Sequence, residues 1–535
     1  MKKSIFLNQL KQIKARDIRI FPKIKRAGSL LFMNLAAPAA VYFKMDWPQG
    51  YDFLINKLFR KIKELRMQPD SKKIAMNKLL EELIGHWNSY SNKSTHRNPD
   101  LRNLPDWRRR YLLLGNIHRI NNEFKKTMDV YKKIDEVQCH IAKKHQLDDL
   151  GIEFIPRGLP MSSIGMYEYF EVHVKAGILD LLPNKKMILL LDSKAYVNNP
   201  CYLKYWSKYF TIISDPVLIE MLTPLEPLLT TPEFFFTHFR RKLYWSPLSQ
   251  GVVREQWRKE GRAPLFSLCH EDYEKGWNCL RSLGLPQNAW FVTLHVREPG
   301  WRDNHSPDEN FRNADIKTYI PAIKAITDAG GWVLRIGDSG MSRIPEMPQL
   351  IDYAHSEVKS DWMDIFLCAQ CRFMIGTSSG MCVIASAFGV PLVMTNLLPA
   401  YAVYHYTSQD LFIPRLCFSK GRGNHLSFHE LISPPISTVE GQSHFDNRNI
   451  RVVPNSSEEI KALVEEMLEK CAGNLKYSEE DEILQKCFRE TTVNCGKIYG
   501  EDLGLVSHAR IGRKFLRDHA ALLSANGAKE YQNER

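Results

Sequence analysis

Phe373-Met374-Ile375-Gly376-Thr377-Ser378-Ser379-Gly380 is a short apolar run that gives way to five small residues, after which Met381-Cys382-Val383-Ile384-Ala385 is apolar again. The run reads as a buried strand, the small residues as a tight loop and the rest as a helix. In a parallel α/β sheet such a loop offers unpaired backbone N–H groups, hydroxyls and the positive end of a helix dipole to a phosphate. The loop has no Lys, which excludes the phosphate loop of a nucleotide-hydrolysing enzyme. An ordinary helix cap is the plain alternative.

Working outward, Trp290–Leu294, Trp332–Ile336 and Pro391–Met394 are three more continuous apolar runs, separated by helical patterns over Ile316–Ala329, over Ser360–Leu367 and after Thr377. Gly330-Gly331 stops the first of these helices. Four strands with three intervening helices predict a doubly wound sheet, whose ligands lie beyond the carboxyl ends of the strands. Upstream, Ile152–Pro156, Met187–Leu191 and Phe210–Ile213 alternate with helical stretches, and a loop holding Ser162, Ser163 and Gly165 follows the first of them. This βαβαβ order predicts a second parallel sheet with right-handed crossovers, and two such units in tandem suggest a ligand bound between them. Ser456-Ser457-Glu458-Glu459 has the spacing of a capping box opening a helix that runs to about Cys471.

The fold expected is therefore α/β, with two Rossmann-like doubly wound domains preceded by an all-helical module. The expected boundaries are a helical module at 1–148, a first α/β domain at 149–285 and a second at 286–505. A C-terminal helix and frayed polar tail follow at 506–535. Within the module, Tyr111, Leu114, Gly115, His118, Thr127 and Tyr131 have the offsets of one tetratricopeptide helix hairpin, which suits protein docking or is an ordinary hairpin.

Function is expected at the strand ends. His295 and Arg297 alternate onto one face, and the planar guanidinium of Arg297 matches phosphate oxygens. An ion pair of Arg297 with Glu298 and a core role for His295 are the structural alternatives. Arg335-Ile336-Gly337-Asp338 ends the next strand. Gly337 allows backbone approach and Asp338 can accept a sugar hydroxyl, unless the segment is only a tight turn. Arg312 and Lys359 add positive charge near the same face. Asn313 and Ser360 read as helix caps, Asp315 and Asp361 as caps or ion-pair partners, and Trp362 as a base-stacking or packing residue. His295, Arg297 and Asp338 are the catalytic candidates. Arg297, Arg312, Arg335, Gly337, Asp338, Lys359, Asp361, Gly376, Thr377, Ser378, Ser379 and Gly380 are the candidates for holding a nucleotide ligand. No metal ligands are expected.

The 535 residues carry 73 Lys+Arg against 60 Asp+Glu, and 44% are hydrophobic, which excludes a disordered chain. The charge is concentrated. Residues 1–150 hold 31 basic and 15 acidic side chains, a local +16, leaving −3 for the remainder. The 17 uncharged residues from Ala27 to Phe43 follow a basic run and contain Pro38. They read as a segment lying in an anionic membrane surface, or as a buried helix, in preference to a span. No secretion signal is read at the start, where Lys11, Lys14, Arg16 and Arg19 interrupt any apolar region. The 11 cysteines are scattered without a disulfide framework, and Cys368-Ala369-Gln370-Cys371 reads as buried structural thiols. The expected location is cytoplasmic, peripheral on the inner face of the plasma membrane.

The ordered blocks Leu294–Gly300, Arg312–Asp315, Arg335–Asp338, Ile351–Ser356, Lys359–Asp364 and Ile375–Gly380 resemble a bacterial family of glycosyltransferases associated with surface polysaccharide synthesis. Looser similarity covers residues 150–520. More distantly, His-x-Arg at a strand end and Thr-Ser-Ser before a helix resemble inverting fucosyltransferases of the GT-B fold. The resemblance implies a nucleotide-diphosphate sugar held by Arg297 and the Ser378–Ser379 helix start, with no obligatory metal or other cofactor. It places a glycan or lipid-linked acceptor in the first domain. The absence of Asp-x-Asp from the second domain agrees with metal independence. The rivals are a non-sugar transferase of the pyruvyl type acting on a polysaccharide, and a non-catalytic scaffold using the basic module. Nucleic-acid binding is not expected, because the module has no groove-reading motif.

Overall fold

The computed structural model describes residues 149–155, 163–226, 236–239, 242–298, 307–437, 441–499 and 505–523, with isolated positions before 149. The helical module, its tetratricopeptide-like hairpin, the 27–43 segment and the polar tail lie outside the described residues. Among the described residues no helix is long and apolar enough to cross a membrane.

The first unit opens with strand β1 (Ile152–Ile155), helix α1 (Tyr167–Ile178), β2 (Lys186–Leu190), α2 (Pro200–Trp206), β3 (Phe210–Ile213) and α3 (Pro216–Leu222). Local chemistry sets the helix starts. Asn199 and Asp215 each accept a backbone N–H, from Tyr202 and Leu218, and each is followed by a proline whose missing N–H costs nothing in the first turn. The three strands pair in parallel in the order β1-β2-β3. The expected strands are present, but this order has no reversal, so within the described residues the first sheet is wound in one direction only. Right-handed crossovers then place α1 and α2 on the same face. There Tyr167, Phe170, Tyr202, Trp206 and Phe210 pack ring against ring. The hairpin β4 (Phe236–Phe239) and β5 (Lys242–Trp245) follows, then helices α4 (Ser246–Lys259) and α5 (His270–Ser282).

The second unit is built on β6 (Phe291–His295), α6 (Ile320–Asp328), β7 (Trp332–Arg335), β8 (Leu350–Ile351), α7 (Asp361–Gln370), β9 (Met374–Gly376), α8 (Met381–Ala387), β10 (Leu392–Leu397) and β11 (Leu411–Pro414). A small antiparallel sheet of β12 (Leu416–Ser419), β13 (Asn424–His425) and β14 (Ile450–Val453) comes next, with short helices α9 (Phe428–Ile432) and α10 (Gln442–Asp446). Helices α11 (Ser457–Cys471) and α12 (Glu479–Tyr499), strand β15 (Arg510–Ile511) and helix α13 (Arg513–Asp518) complete the described chain. The capping box at Ser456 and Glu459 is formed as its spacing predicts. Strand β15, inside the stretch read as a separate C-terminal helix and tail, adds to the edge of this unit's sheet.

That sheet has seven parallel strands in the order β15-β11-β10-β9-β6-β7-β8. The sequence reading found four of them. The order runs one way from β6 through β7 to β8 and the other way from β9 onward, so it is doubly wound, with its switch point between β6 and β9. All residues of β6 and β10 are buried, as expected for strands covered by helices on both faces. Thr293, in the middle of β6, donates to the Leu367 carbonyl at 2.8 Å. Cys368 and Cys371 are buried free thiols, and burial pushes Cys371 up to about 11.

Candidate functional site

Because the seven strands are parallel, their carboxyl ends share one edge. It carries His295 at the end of β6 and Arg297 after it, Gly337 and Asp338 after β7, Asp352 after β8, Thr377–Gly380 after β9, Asn396 in β10 and Arg415 after β11. At the switch point the Arg297 N–H donates to Thr377 Oγ1 at 3.1 Å, which locks the two strand ends together. His295 is paired in register with Gly376. A side chain at Gly376 is excluded, since a Cβ there falls 2.3 Å from Cys382 Sγ.

The two units meet at this edge. A Cβ on Gly380 falls 2.5 Å from the Gly165 backbone nitrogen, so the turn Ile164–Met166 lies directly against the start of α8. Asn199, the cap of α2, donates to the Asp361 carbonyl at 3.0 Å. Farther along, a buried charge cluster fixes α1 to α4 and α8: Glu171 accepts from Lys175 at 2.6 Å, from Arg254 at 2.7 Å and from Ser386 at 3.3 Å. Arg254 and Lys175 hold Glu171 well below the usual carboxylate range, at about 2, against the opposing effect of burial.

His295 is buried, and its Nδ1 has no hydrogen-bond partner among the described residues. Burial, reinforced by Arg335 and Arg297, depresses it to about 4, so it is a neutral imidazole at neutral pH. Arg335 is fully buried and donates to Glu298 at 2.6 Å and to Asp352 at 3.1 Å. Asp352 also binds His355 Nδ1 at 2.8 Å. Glu298 therefore pairs with Arg335. The ionic contacts of Arg335 brace β6, β7 and the turn after β8.

The remaining candidates divide. Gly337 is closely packed, with a Cβ there falling 2.5 Å from Met341 Sδ, and Asp338 is exposed and accepts the Gly340 N–H of its own turn at 2.9 Å. Lys359 pairs with Asp364 at 3.5 Å. Burial raises Asp364 to about 6 despite that lysine. Asp361 opens α7 and is exposed, while Ser360 caps the helix by accepting from Met363. Asn313 is no cap: Asp315 takes that role by accepting the Lys317 N–H at 2.9 Å. Trp362 stacks on Phe366, donates to Asp272 at 3.0 Å and lies under Lys275, so its ring serves packing. Arg312 ends the turn Pro307–Arg312 on the same edge.

The loop after β9 also differs from its expected form. Thr377 is fully buried and accepts from Arg297, and Ser378 accepts from the Leu398 N–H at 3.2 Å. Ser379 is partly exposed at the edge. Helix α8 has only seven residues and its cap residue, Gly380, has no side chain to accept from its first turn. A helix this short adds little dipole, so the edge's positive character rests on its arginines.

Sequence reading missed a polar group at the carboxyl end of β10. Tyr319 Oη and Thr395 Oγ1 are 2.6 Å apart, Asn396 donates to Tyr319, Thr395 donates to the Gly376 carbonyl, and Asn396 exchanges bonds with Asn455. Asn396 has φ of +51°, a left-handed conformation that Asn tolerates better than most residues. The visible signal was Thr395-Asn396 interrupting an apolar strand.

No family model matches the chain, and no curated protein does. Among solved structures it is similar to a glycosyl transferase of family 9 from Veillonella parvula, at 12% identity over 49% of this chain and 85% of that one, with a TM-score of 0.28. It is also similar to the dodecameric iron-containing heptosyltransferase TibC of enterotoxigenic E. coli in complex with ADP-D-beta-D-heptose, at 11% identity over 60% and 76%, with a TM-score of 0.32. E. coli ADP-heptose LPS heptosyltransferase II matches at 13% identity over 58% and 98%, with a TM-score of 0.29. With TM-scores this low the likeness carries no weight of its own, and the reading of the site rests on its residues.

Proposed function

We propose that the protein is a glycosyltransferase that moves a sugar from a nucleotide-diphosphate donor to a glycan or lipid-linked acceptor in surface polysaccharide synthesis. The observation that carries this reading is the switch point itself, where Arg297 and Thr377 are joined beside His295 and face the first unit across the Gly165–Gly380 contact. In this reading the nucleotide and diphosphate lie along the carboxyl edge of the seven-stranded sheet. The acceptor lies on the first unit.

As the glycosidic bond to the donor breaks, negative charge grows on the leaving diphosphate. Arg297 and the Ser379 hydroxyl take up that charge, with no obligatory metal, and the outcome is inversion. The acceptor hydroxyl must lose a proton. His295 is neutral and can accept one, and a carboxylate of the first unit is the alternative. Glu171 is saturated with donors, whereas Glu168, raised by burial and 4.0 Å from Arg254, is not. The basic stretch at 1–148 holds this catalytic body against an anionic membrane surface.

A thermal-shift screen against UDP-, GDP-, CMP- and dTDP-sugars and ADP-heptose, followed by transfer assays on Arg297→Ala and Ser379→Ala, tests the proposal. One donor set stabilises the protein and both variants lose transfer. Silence across all donors, or unchanged activity in both variants, sinks it. For the membrane arm, liposome binding should depend on salt and on residues 1–45.

A further inference from the structure

Four arginines are buried in the described residues: Arg254, Arg297, Arg335 and Arg415. Arg254 has Glu171 and Arg335 has Glu298 as counter-charges. Arg415 has none. It is 4% exposed and its Nη2 donates to the Asn313 carbonyl; among the described residues its Nε, closed to solvent, finds no acceptor and no carboxylate pairs with it. A guanidinium has five N–H groups, so most of its donor capacity is unused. The ionisable groups beside it are Tyr319 and Cys417, both pushed up by burial and therefore neutral at neutral pH. Burial lowers Arg415 itself to about 10, which still leaves it charged.

A buried cation without a partner is costly, and such groups cluster at functional sites, where an anionic ligand can supply the counter-charge. Its position says where that ligand sits. Arg415 immediately follows β11 on the carboxyl edge, and its own N–H donates to the Leu397 carbonyl at the end of β10. The turn 312–315 crosses the same edge. The Ala314 N–H donates to the Arg297 carbonyl at 2.9 Å, while the carbonyl of the preceding residue, Asn313, takes the bond from Arg415. That turn is thus pinned between the ends of β6 and β11, which are separated in the sheet by β9 and β10. Arg297, Arg312 and Arg415 are gathered around it, with Tyr319, Thr395 and Asn396 forming a hydrogen-bonded polar floor.

We infer that Arg415 is an oxyanion-binding residue that takes a phosphoryl group of the ligand over the ends of β9, β10 and β11, on the far side of the switch point from β7 and β8. This rests on the glycosyltransferase reading for the source of the phosphoryl group, a nucleotide-diphosphate sugar, but not for the anion site itself. The site would grip the diphosphate from two directions, with Arg297 at one end of the 312–315 turn and Arg415 at the other.

The experiment uses the full chain at fixed ionic strength and reads thermal shifts with sodium pyrophosphate, inorganic phosphate, nucleoside diphosphates and a neutral sugar. Wild type should show a saturable shift with pyrophosphate and nucleoside diphosphates and none with the sugar. Arg415→Met should melt higher than wild type without anion, because an uncompensated charge has been replaced by an apolar chain of similar length. It should also bind pyrophosphate about ten- to hundred-fold more weakly, the loss expected for charged hydrogen bonds. Arg415→Lys, which keeps the charge, serves if the Met variant does not fold, and should weaken binding less than that. A wild type that ignores pyrophosphate, or an Arg415→Met or Arg415→Lys variant that binds it as wild type does, overturns the inference. Pyrophosphate binding through Arg415 with no response to any nucleotide sugar would leave this site standing and remove the donor reading. Sugar transfer with donor affinity indifferent to Arg415 would do the reverse.

Discussion

Replacing Arg335 by Met leaves two carboxylates, Glu298 and Asp352, without the cation that both share. Arg335 is fully buried and the side chain of Glu298 is 5% exposed, so water cannot take over the lost bond at 2.6 Å. Removing one partner of a buried pair costs about 3–5 kcal/mol, against about 0–1 kcal/mol for an exposed pair. At roughly 2–4 °C per kcal/mol for a domain of this size, the melting temperature should fall by about 6–20 °C. The penalty comes from stranded charge, not from lost volume, so Arg335→Met combined with Glu298→Gln should recover at least half of it. Denaturation of wild type, both single variants and the double variant measures this coupling. A second readout separates positioning from bulk stability. A released Glu298 sits next in the chain to Arg297 and competes with an anionic donor, so nucleotide affinity should fall in Arg335→Met and return in the double variant. An Arg335→Met protein within about 1 kcal/mol of wild type, or a double variant as unstable as the sum of the singles, would refute the reasoning.

Three other outcomes are expected. His295 titrates near 4 in the fold and near its ordinary 6.5 in the unfolded chain. The unfolded state therefore takes up the proton first as pH falls, and about 3 kcal/mol of stability should disappear between those values. Stability–pH curves that do not differ between wild type and His295→Gln in that window would contradict this. Gly380→Val pushes a side chain into the Gly165 backbone across the two units, costing about 1–3 kcal/mol and lowering turnover while donor binding to the second unit is kept; equal turnover would show that this contact does not set the cleft. Glu171→Gln strands Arg254 and Lys175 and should cost about 3–5 kcal/mol by denaturation, and a neutral result would mean the cluster does not hold the units together.

The second sheet was legible where strands were long and wholly apolar. Phe291–Leu294 and Trp332–Leu334 leave little choice between strand and loop once glycines and polar caps bound them. Leu350–Ile351 and Arg510–Ile511 were not legible, because each has two residues and owes its pairing to a neighbour already in place. Leu411–Pro414 ends in a proline and runs into another apolar strand, so no periodicity marks where the parallel sheet stops and the antiparallel one begins. The direction of winding in the first unit depends on strand order, which alternating strands and helices alone do not specify.

Site residues were legible as positions and less so as roles. Parallel strands deliver whatever follows them to one edge, so His295, Arg297, Gly337, Thr377 and Ser379 could be placed from strand ends alone. Which cations on that edge are already neutralised depends on partners distant in the chain. Arg335 finds Glu298 37 residues before it and Asp352 17 after it. Arg415 illustrates the converse. It stands in Leu411-Phe412-Ile413-Pro414-Arg415-Leu416-Cys417-Phe418, a lone charge in an apolar run that the sequence reading leaves without a role. The fold closes β10, the 312–315 turn and Tyr319 around it and, among the described residues, brings no carboxylate. Its meaning thus lies in a mismatch between burial and charge. The same test distinguishes it from Arg254 and Arg335, which are as deeply buried but paired with carboxylates.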